Sequence, residues 1–321
     1  MKERLLEILR IACAYNVSDI HFSLHEDESL TIEMRVNGKI RVLKSSDADE
    51  RLFRYLMYRA DLDVSSIYLP QTGSFEETVD GRRLSLRFAA VSAWHSVSGV
   101  LRILNAQSGI RAEDLCYDRE TVAWMREKMA RRSGLLIFSG PTGSGKTTAL
   151  YTLLDEVSQR KIFTLEDPVE VIHENYVQIQ VSEKQLTYAD GIKQLMRHDP
   201  DIIMIGEIRD STAAQMAVRS ALTGHLVVTS LHSFSCVGAI ERMIDLGVAK
   251  SMMAEVLCGV CNQRLFTGGP KGRTGIYEIM DERDIAFWNE TGHLPEGFRR
   301  LKERIEEAVQ LGIIPEEEAA V

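Results

Sequence analysis

The sequence predicts an α/β fold: a parallel-sheet domain preceded by a small α+β domain. Three observations carry that expectation. The glycine-rich run Ser139-Gly140-Pro141-Thr142-Gly143-Ser144-Gly145-Lys146-Thr147-Thr148 falls between an apolar stretch at 135–138 and a helix-like stretch at 149–154, which is the strand–loop–helix context of a phosphate-binding P-loop. Beyond it, short apolar runs alternate with helical stripes, as in a helix-covered parallel sheet. Ahead of it, apolar residues alternate singly over short segments, as in half-buried strands. The 321 residues suit about two domains of roughly 150 residues each.

Taken in order, residues 3–15 place Leu5, Leu6, Ile8, Leu9, Ala12 and Cys13 at helical spacing. Ile20, Phe22 and Leu24 alternate, as do Leu30, Ile32, Met34 and Val36; Asn37-Gly38 ahead of Ile40-Arg41-Val42 is a type I′ hairpin signal. Leu52, Phe53, Leu56, Met57 and Ala60 predict a helix over 49–61. Asp80-Gly81 marks another hairpin, followed by strands at 84–88 and 100–104. The polar run Asn105-Ala106-Gln107-Ser108-Gly109 reads as a connection. The expected division is therefore an α+β domain over 1–105, a linker over 106–113 and a P-loop domain over 114–321. Within the last, strands are expected at 162–165, 202–205 and 226–229, and helices at 187–198 and 211–222. From about 281 the tail reads as helical and charged, and Pro315-Glu316-Glu317-Glu318 as a capped, solvated helix start.

Composition narrows the function. Lys plus Arg less Asp plus Glu gives 38 − 47 = −9, which weighs against nucleic acid as the main partner. No apolar run approaches the ~20 residues of a membrane span. The start, Met1-Lys2-Glu3-Arg4-Leu5-Leu6-Glu7, mixes acids into its apolar pattern and is not a signal peptide. Five cysteines without regular spacing (Cys13, Cys116, Cys236, Cys258 and Cys261) suit a reducing compartment better than a disulfide framework.

The P-loop glycines let backbone N–H groups turn inward around phosphate, and the following helix adds the positive end of its dipole. Lys146 is placed to reach the β- and γ-phosphates, and the Thr147 hydroxyl to ligate Mg²⁺. Three further clusters follow strands. Glu207 emerges just after the buried run Ile202-Ile203-Met204-Ile205, where it could orient water or help hold Mg²⁺; a charged turn is the plain alternative. Glu166-Asp167-Pro168-Val169-Glu170 sets three carboxylates in five positions, which need solvent or a cation to stay together. His225 and His232 bracket one strand and could sense a γ-phosphate or couple neighbouring sites.

These four elements in this order resemble the secretion-type ATPase family that drives type II secretion and type IV pilus assembly. The run from Met196 to Asp210 is similar to that family's signature, Glu166 to Glu170 to its aspartate box, and Gly224-His225 to His232 to its histidine box. Earlier, Val17-Ser18-Asp19-Ile20-His21-Phe22, Arg35-Val36-Asn37-Gly38 and Pro70-Gln71-Thr72-Gly73 resemble its N-terminal segments. The resemblance implies a RecA-like P-loop domain behind a PAS-like N-terminal domain. It also implies ATP and Mg²⁺ as ligands and a homo-hexamer with active sites at subunit interfaces. By it, Arg87 and Arg102 occupy the positions of arginines that approach the phosphates; taken alone, each reads as readily as a salt bridge or a solvated edge. The catalytic set it implies is Glu207, Glu166, Arg87, Arg102 and His232, with Gly140 to Thr148 and His225 binding nucleotide. The location implied is cytoplasmic, peripheral at the inner face of the cell membrane against a platform protein, with no direct nucleic acid contact.

Assembly members usually carry a four-cysteine zinc module between Gln-Arg-Leu and Gly-Arg-x-Gly-Ile-Tyr-Glu. Here Gln263-Arg264-Leu265 runs almost directly into Gly272-Arg273-Thr274-Gly275-Ile276-Tyr277-Glu278, so no zinc is expected; structural zinc needs four ligands. Cys258 and Cys261 precede that point and are expected in the core, on a helix. A short, zinc-free assembly ATPase most resembles the competence pseudopilus branch of Gram-positive bacteria, which supports DNA uptake. A retraction motor, a nucleotide-binding scaffold with little turnover and a DNA translocase are the alternatives. Ser233-Phe234 replaces the family's usual Thr-Asn.

Overall fold

A computed structural model describes residues 1–15, 17–36, 39–44, 49–104, 110–169, 171–181, 186–269 and 272–319. The Asn37-Gly38 turn, the run 105–109 and Glu170 lie outside the described residues. The chain divides into two compact units, Met1–Gly109 with Glu170–Ile172, and Ile110–Val169 with His173–Val321.

The first unit contains α1 (Lys2–Ala14), β1 (Asp19–His25), β2 (Leu30–Val36), β3 (Lys39–Val42), α2 (Asp49–Arg59), β4 (Gln71–Val79), β5 (Arg82–Ala93) and β6 (Ser96–Ile103). The strands form one antiparallel sheet in the order β3-β2-β1-β6-β5-β4. One face is apolar because alternate residues, such as Ile20, Phe22 and Leu24 of β1, point to it. Leu5, Ile8 and Leu9 of α1 and Leu52, Phe53 and Leu56 of α2 share that core. Phe53 and Phe22 meet Phe88 edge-on, at centroid distances of 5.3 and 6.1 Å, a favoured aromatic geometry. The sequence reading shows β5 only at 84–88 and misses β4, whose outer half alternates between exposed and half-buried residues.

The second unit runs α3 (Ala112–Leu115), α4 (Arg119–Met129), β7 (Gly134–Ser139), α5 (Lys146–Asp155), β8 (Ile162–Glu166), β9 (Tyr176–Gln180), α6 (Tyr188–Leu195), β10 (Ile202–Ile205), α7 (Ser211–Leu222) and β11 (Leu226–Leu231). It continues through α8 (Cys236–Asp245), α9 (Lys250–Val256), β12 (Leu257–Thr267), β13 (Arg273–Met280), α10 (Glu282–Thr291) and α11 (Leu301–Gln310). Its sheet order is β13-β12-β7-β11-β10-β8-β9. Every neighbouring pair is parallel except β12–β13. Leu136, Phe138, Met204 and Val228 face one core with α4 and α5, whereas Leu135, Ile137, Ile203 and Val227 face another with α7 and α8. Burial on both faces explains why these strands read as continuous apolar runs.

That same double burial corrects one expectation. Cys258 and Cys261 stand on β12, not on a helix. A buried strand without alternation cannot be told from a helix by period. The Cys258 thiol donates to the Leu135 carbonyl oxygen at 3.3 Å, and burial pushes its pKa up to about 11. The charged tail is partly core: Leu301, Ile305 and Ala308 of α11 pack on Phe266 and Ile276. Buried Glu278 holds both ends of that arrangement, accepting from the backbone N–H of Cys236 at 2.7 Å and of Leu301 at 2.9 Å.

Candidate active site

Strands β7, β11, β10 and β8 run parallel and release the chain at one edge of the sheet, the edge where open α/β sheets bind ligands. β7 is buried throughout and delivers Gly140 to that edge. Gly140 (φ 145°) and Gly145 (φ 86°) adopt conformations that L side chains avoid. Space forbids side chains as well: a Cβ at Gly140 would lie 2.5 Å from the Gln263 carbonyl oxygen, and one at Gly145 would lie 2.9 Å from Gln263 Nε2. Gly145 caps α5, whose first N–H groups have no partner within the helix.

Lys146 opens α5 with its side chain buried. Its Nζ donates to the carbonyls of Gly140 and Pro141, both at 2.9 Å. Burial lowers its pKa, opposed by the nearby charge of Glu207 and reinforced by that of Arg264. Thr147 is half-buried and Thr148 exposed.

Glu207 leaves β10 one residue past Gly206 and is the hub of the edge. Its Oε2 accepts from Arg209 at 2.6 Å, which raises the Arg209 pKa. Its Oε1 lies 3.1 Å from His232 Nε2, while His232 Nδ1 lies 3.2 Å from the Gly140 carbonyl oxygen. Both neighbours are acceptors, and the ring bridges the two. His232 thus links the acid to the first residue of the glycine loop.

Glu166 ends β8 and is held differently. It is buried; one oxygen accepts from the Tyr151 hydroxyl. The other accepts from Thr164 Oγ1 at 2.6 Å and Gln178 Nε2 at 3.2 Å. Asp167 follows, close enough to Arg209 to help raise its pKa.

The structure does not bring His225 to this edge. It precedes β11, whose first residue, Leu226, pairs with Gly134 at the start of β7. Six residues of strand, roughly 20 Å, separate it from the glycine loop. Its Nδ1 lies 3.2 Å from the Ser220 carbonyl oxygen, which binds α7 to the sheet. Within one chain the structure places His225 and His232 at opposite ends of β11, as two histidines flanking a strand must lie.

Arg87 and Arg102 belong to the first unit, directly opposite each other on β5 and β6. Like charges in that register repel unless an anion lies near. Arg102 Nε donates to Asp19 Oδ1 at 2.6 Å.

Tyr151, Gln178, Gln263 and Arg264 also belong to this edge, and the motif reading missed them as site residues. Their contacts depend on strand order, which local spacing does not show. Phe234, two residues past His232, is 81% exposed.

The arrangement fits a phosphate chain with a divalent cation. It offers a glycine loop at a helix N-terminus, a buried lysine whose hydrogen bonds among the described residues go to loop carbonyls, a threonine in the first turn and the Glu207 carboxylate near that lysine.

Comparison with known proteins agrees. A family model for type II/IV secretion system proteins matches residues 1–300. The chain is 36% identical over 264 residues to type II secretion system protein E of Pseudomonas aeruginosa, covering 80% of this chain and 52% of that one. It is 36% identical over 254 residues to competence protein ComGA of Bacillus subtilis, covering 77% and 71%. The chain thus spans about half the length of the first relative. The solved structure of the pilus retraction motor PilT with bound ADP matches at 25% identity with a TM-score of 0.77, over 98% of this chain and 95% of that one.

Proposed function

Because the chain belongs to the type II/IV secretion system protein family, we propose that it is an ATP-hydrolysing motor. In this reading it works as a homo-hexamer at the cytoplasmic face of the cell membrane and drives assembly of a type IV-like competence pseudopilus. The observation that carries the proposal is the junction of Lys146, Glu207 and His232 around the Gly140 carbonyl. Lys146 exchanges loop carbonyls for phosphate oxygens. Glu207 orients a water and takes its proton as the water oxygen bonds to the γ-phosphorus and the bond to the β–γ bridging oxygen breaks. Thr147 would ligate Mg²⁺, and Mg²⁺ when bound neutralises phosphate charge. Glu166, fixed by three donors, holds the adjoining strand end. Arg87 and Arg102 are proposed, as the resemblance implies, to bring positive charge to the phosphates; such a charge contributes roughly 10³–10⁵ in rate.

Among the described residues no helix is long and apolar enough to cross a membrane. In this reading the anchor is a membrane platform protein. A retraction motor is the second reading, favoured by the likeness to PilT; the competence relative's higher identity favours assembly. The deciding measurement is ATPase activity over a wide protein concentration range with sedimentation in parallel. Specific activity should rise as monomers become hexamers. Hydrolysis independent of concentration in a stable monomer would overturn the ring, and an assembled ring that binds ATP without turnover would favour a scaffold.

A further inference from the structure

Strand β12 runs on past the end of β7. Asn262 pairs with Ser139, the last residue of β7, so Gln263, Arg264 and Leu265 lie alongside the glycine loop. Gln263 and Leu265 face it: a Cβ at Gly145 would meet Gln263 Nε2 at 2.9 Å and a Leu265 methyl at 3.8 Å. Strand alternation turns Arg264 to the other face. There its guanidinium carbon sits 5.6 Å from the centre of the Phe234 ring. Phe234 lies two residues past His232, whose Nδ1 is 3.2 Å from the Gly140 carbonyl oxygen, and Arg264 follows Gln263, whose carbonyl oxygen a Cβ at Gly140 would meet at 2.5 Å; both belong to chain segments that touch the start of the loop.

The bonding of Arg264 is incomplete. Nη1 is buried without a hydrogen-bond partner, and no ion pair neutralises the guanidinium among the described residues. Burial lowers its pKa, and its charge acts on Lys146. The nearby carboxylate, Glu207, is already engaged by Arg209 and His232. Two partly desolvated cations thus lie near one loop, and the carboxylate whose charge reaches Lys146 is already engaged by other partners. A cation–π contact restrains a guanidinium and leaves its edge donors free for two parallel bonds to phosphate.

We propose that Arg264 is a second phosphate-binding cation of the glycine loop, held in plane by Phe234. This rests on reading the loop as a nucleotide site and adds the residue that makes its affinity depend on phosphate charge. An exposed phenylalanine beside a polar loop then has a purpose.

The test is titration of the full chain, at fixed salt, with Mg·ATP and with inorganic tripolyphosphate, beside ligand-free thermal unfolding. Losing a charge-assisted bond should weaken both ligands about tenfold or more in Arg264→Ala. Arg264→Lys should recover part of the loss, since it keeps the charge without the planar fork. Phe234→Leu should weaken both ligands by a smaller factor. Arg264→Gln keeps a polar chain without charge and serves if the alanine variant unfolds early. A glutamine variant that melts and binds like wild type overturns the proposal, and it leaves the nucleotide reading intact if Lys146→Ala still abolishes binding. A wild-type chain that binds neither ligand overturns both.

Discussion

The two ends of the parallel sheet use the same residue types in opposite ways. At the amino end, polar groups bind backbone to backbone. Asp201 Oδ2 accepts from the Lys161 N–H at 2.7 Å, and Arg160 donates to the carbonyls of Met129, Arg131 and Asp201. Asp155 receives the Tyr176 hydroxyl and faces His173 at 3.0 Å. At the carboxyl end, capacity is left over. Among the described residues, Lys146 bonds to loop carbonyls alone, and the buried Ser144 Oγ, Gln263 Oε1 and Arg264 Nη1 have no partner. Native folds satisfy nearly all buried polar atoms, so clustered exceptions call for an explanation. Unpartnered atoms gather beside the glycine loop, whereas at the amino end His173 Nε2 is the comparable exception among the residues named. The stretch from Met196 to Asp210 spans both: Asp201 stitches one end, Glu207 organises the other, and β10 is the distance between them.

The largest effects should come from the carboxyl end. Lys146→Ala removes the buried cation and at least two charge-assisted bonds of ~1.5–3 kcal/mol each. Calorimetric titration should show Mg·ATP affinity falling about 10²–10⁴-fold. Glu207→Gln should instead keep affinity within about threefold while single-turnover hydrolysis falls about 10²–10⁴-fold, the usual size of a general-base contribution. Wild-type turnover in either variant would remove the working end from the proposed mechanism.

At the amino end the loss should appear in stability. Asp201→Ala leaves the Lys161 N–H without its partner and should cost about 1–3 kcal/mol, with the melting temperature falling by several degrees. The kcat of the folded fraction should stay at wild type. A variant that melts normally yet fails to hydrolyse would show that the division between the ends is wrong.

How far this division can be read in the sequence follows from range. The glycine loop, β10 and Glu207 are local patterns, and the structure places them as their spacing implies. His225 and His232 look equivalent in a linear reading; only the parallel pairing of β11 with β7 shows that one stitches and one reaches the loop. Gln263 and Arg264 approach the loop because β12, late in the chain, inserts beside β7, a placement no spacing encodes. β12 itself is misread for the physical reason that burial on both faces erases its alternation. The clamp on Glu166 likewise joins α5, β8 and β9 through Tyr151, Thr164 and Gln178.

Acid should expose the amino end next. Burial alone would raise the Asp155 pKa, but hydrogen bonds from His173 and Tyr176 outweigh it and the net shift is downward. A depressed carboxylate stabilises the fold above its unfolded value, near ~3.9, and that stability is lost as pH falls through the folded value. Asp155→Asn should therefore lower the melting temperature slightly at neutrality and flatten its fall below about pH 4, where wild type has lost the same contribution. The effect should be small, because the Asp155 side chain is half exposed. An unchanged acid limb would mean that Asp155 is not a stitch.

The smallest effect in one chain, and the sharpest test of the comparison, belongs to His225. Its ring makes partly exposed bonds to Ser220 and Thr223, so His225→Ala should cost about 0.5–1.5 kcal/mol. Nucleotide affinity measured at low protein concentration should not change, because roughly 20 Å of strand separates the ring from the loop. The same variant should then be assayed at concentrations where the wild type assembles. If hydrolysis is unchanged there, His225 is a structural residue and the two ends are independent. If hydrolysis collapses in the assembled protein while binding by the isolated chain persists, the amino end of one subunit serves a neighbour's site. Charge at both ends would then be functional, and only the partner would differ.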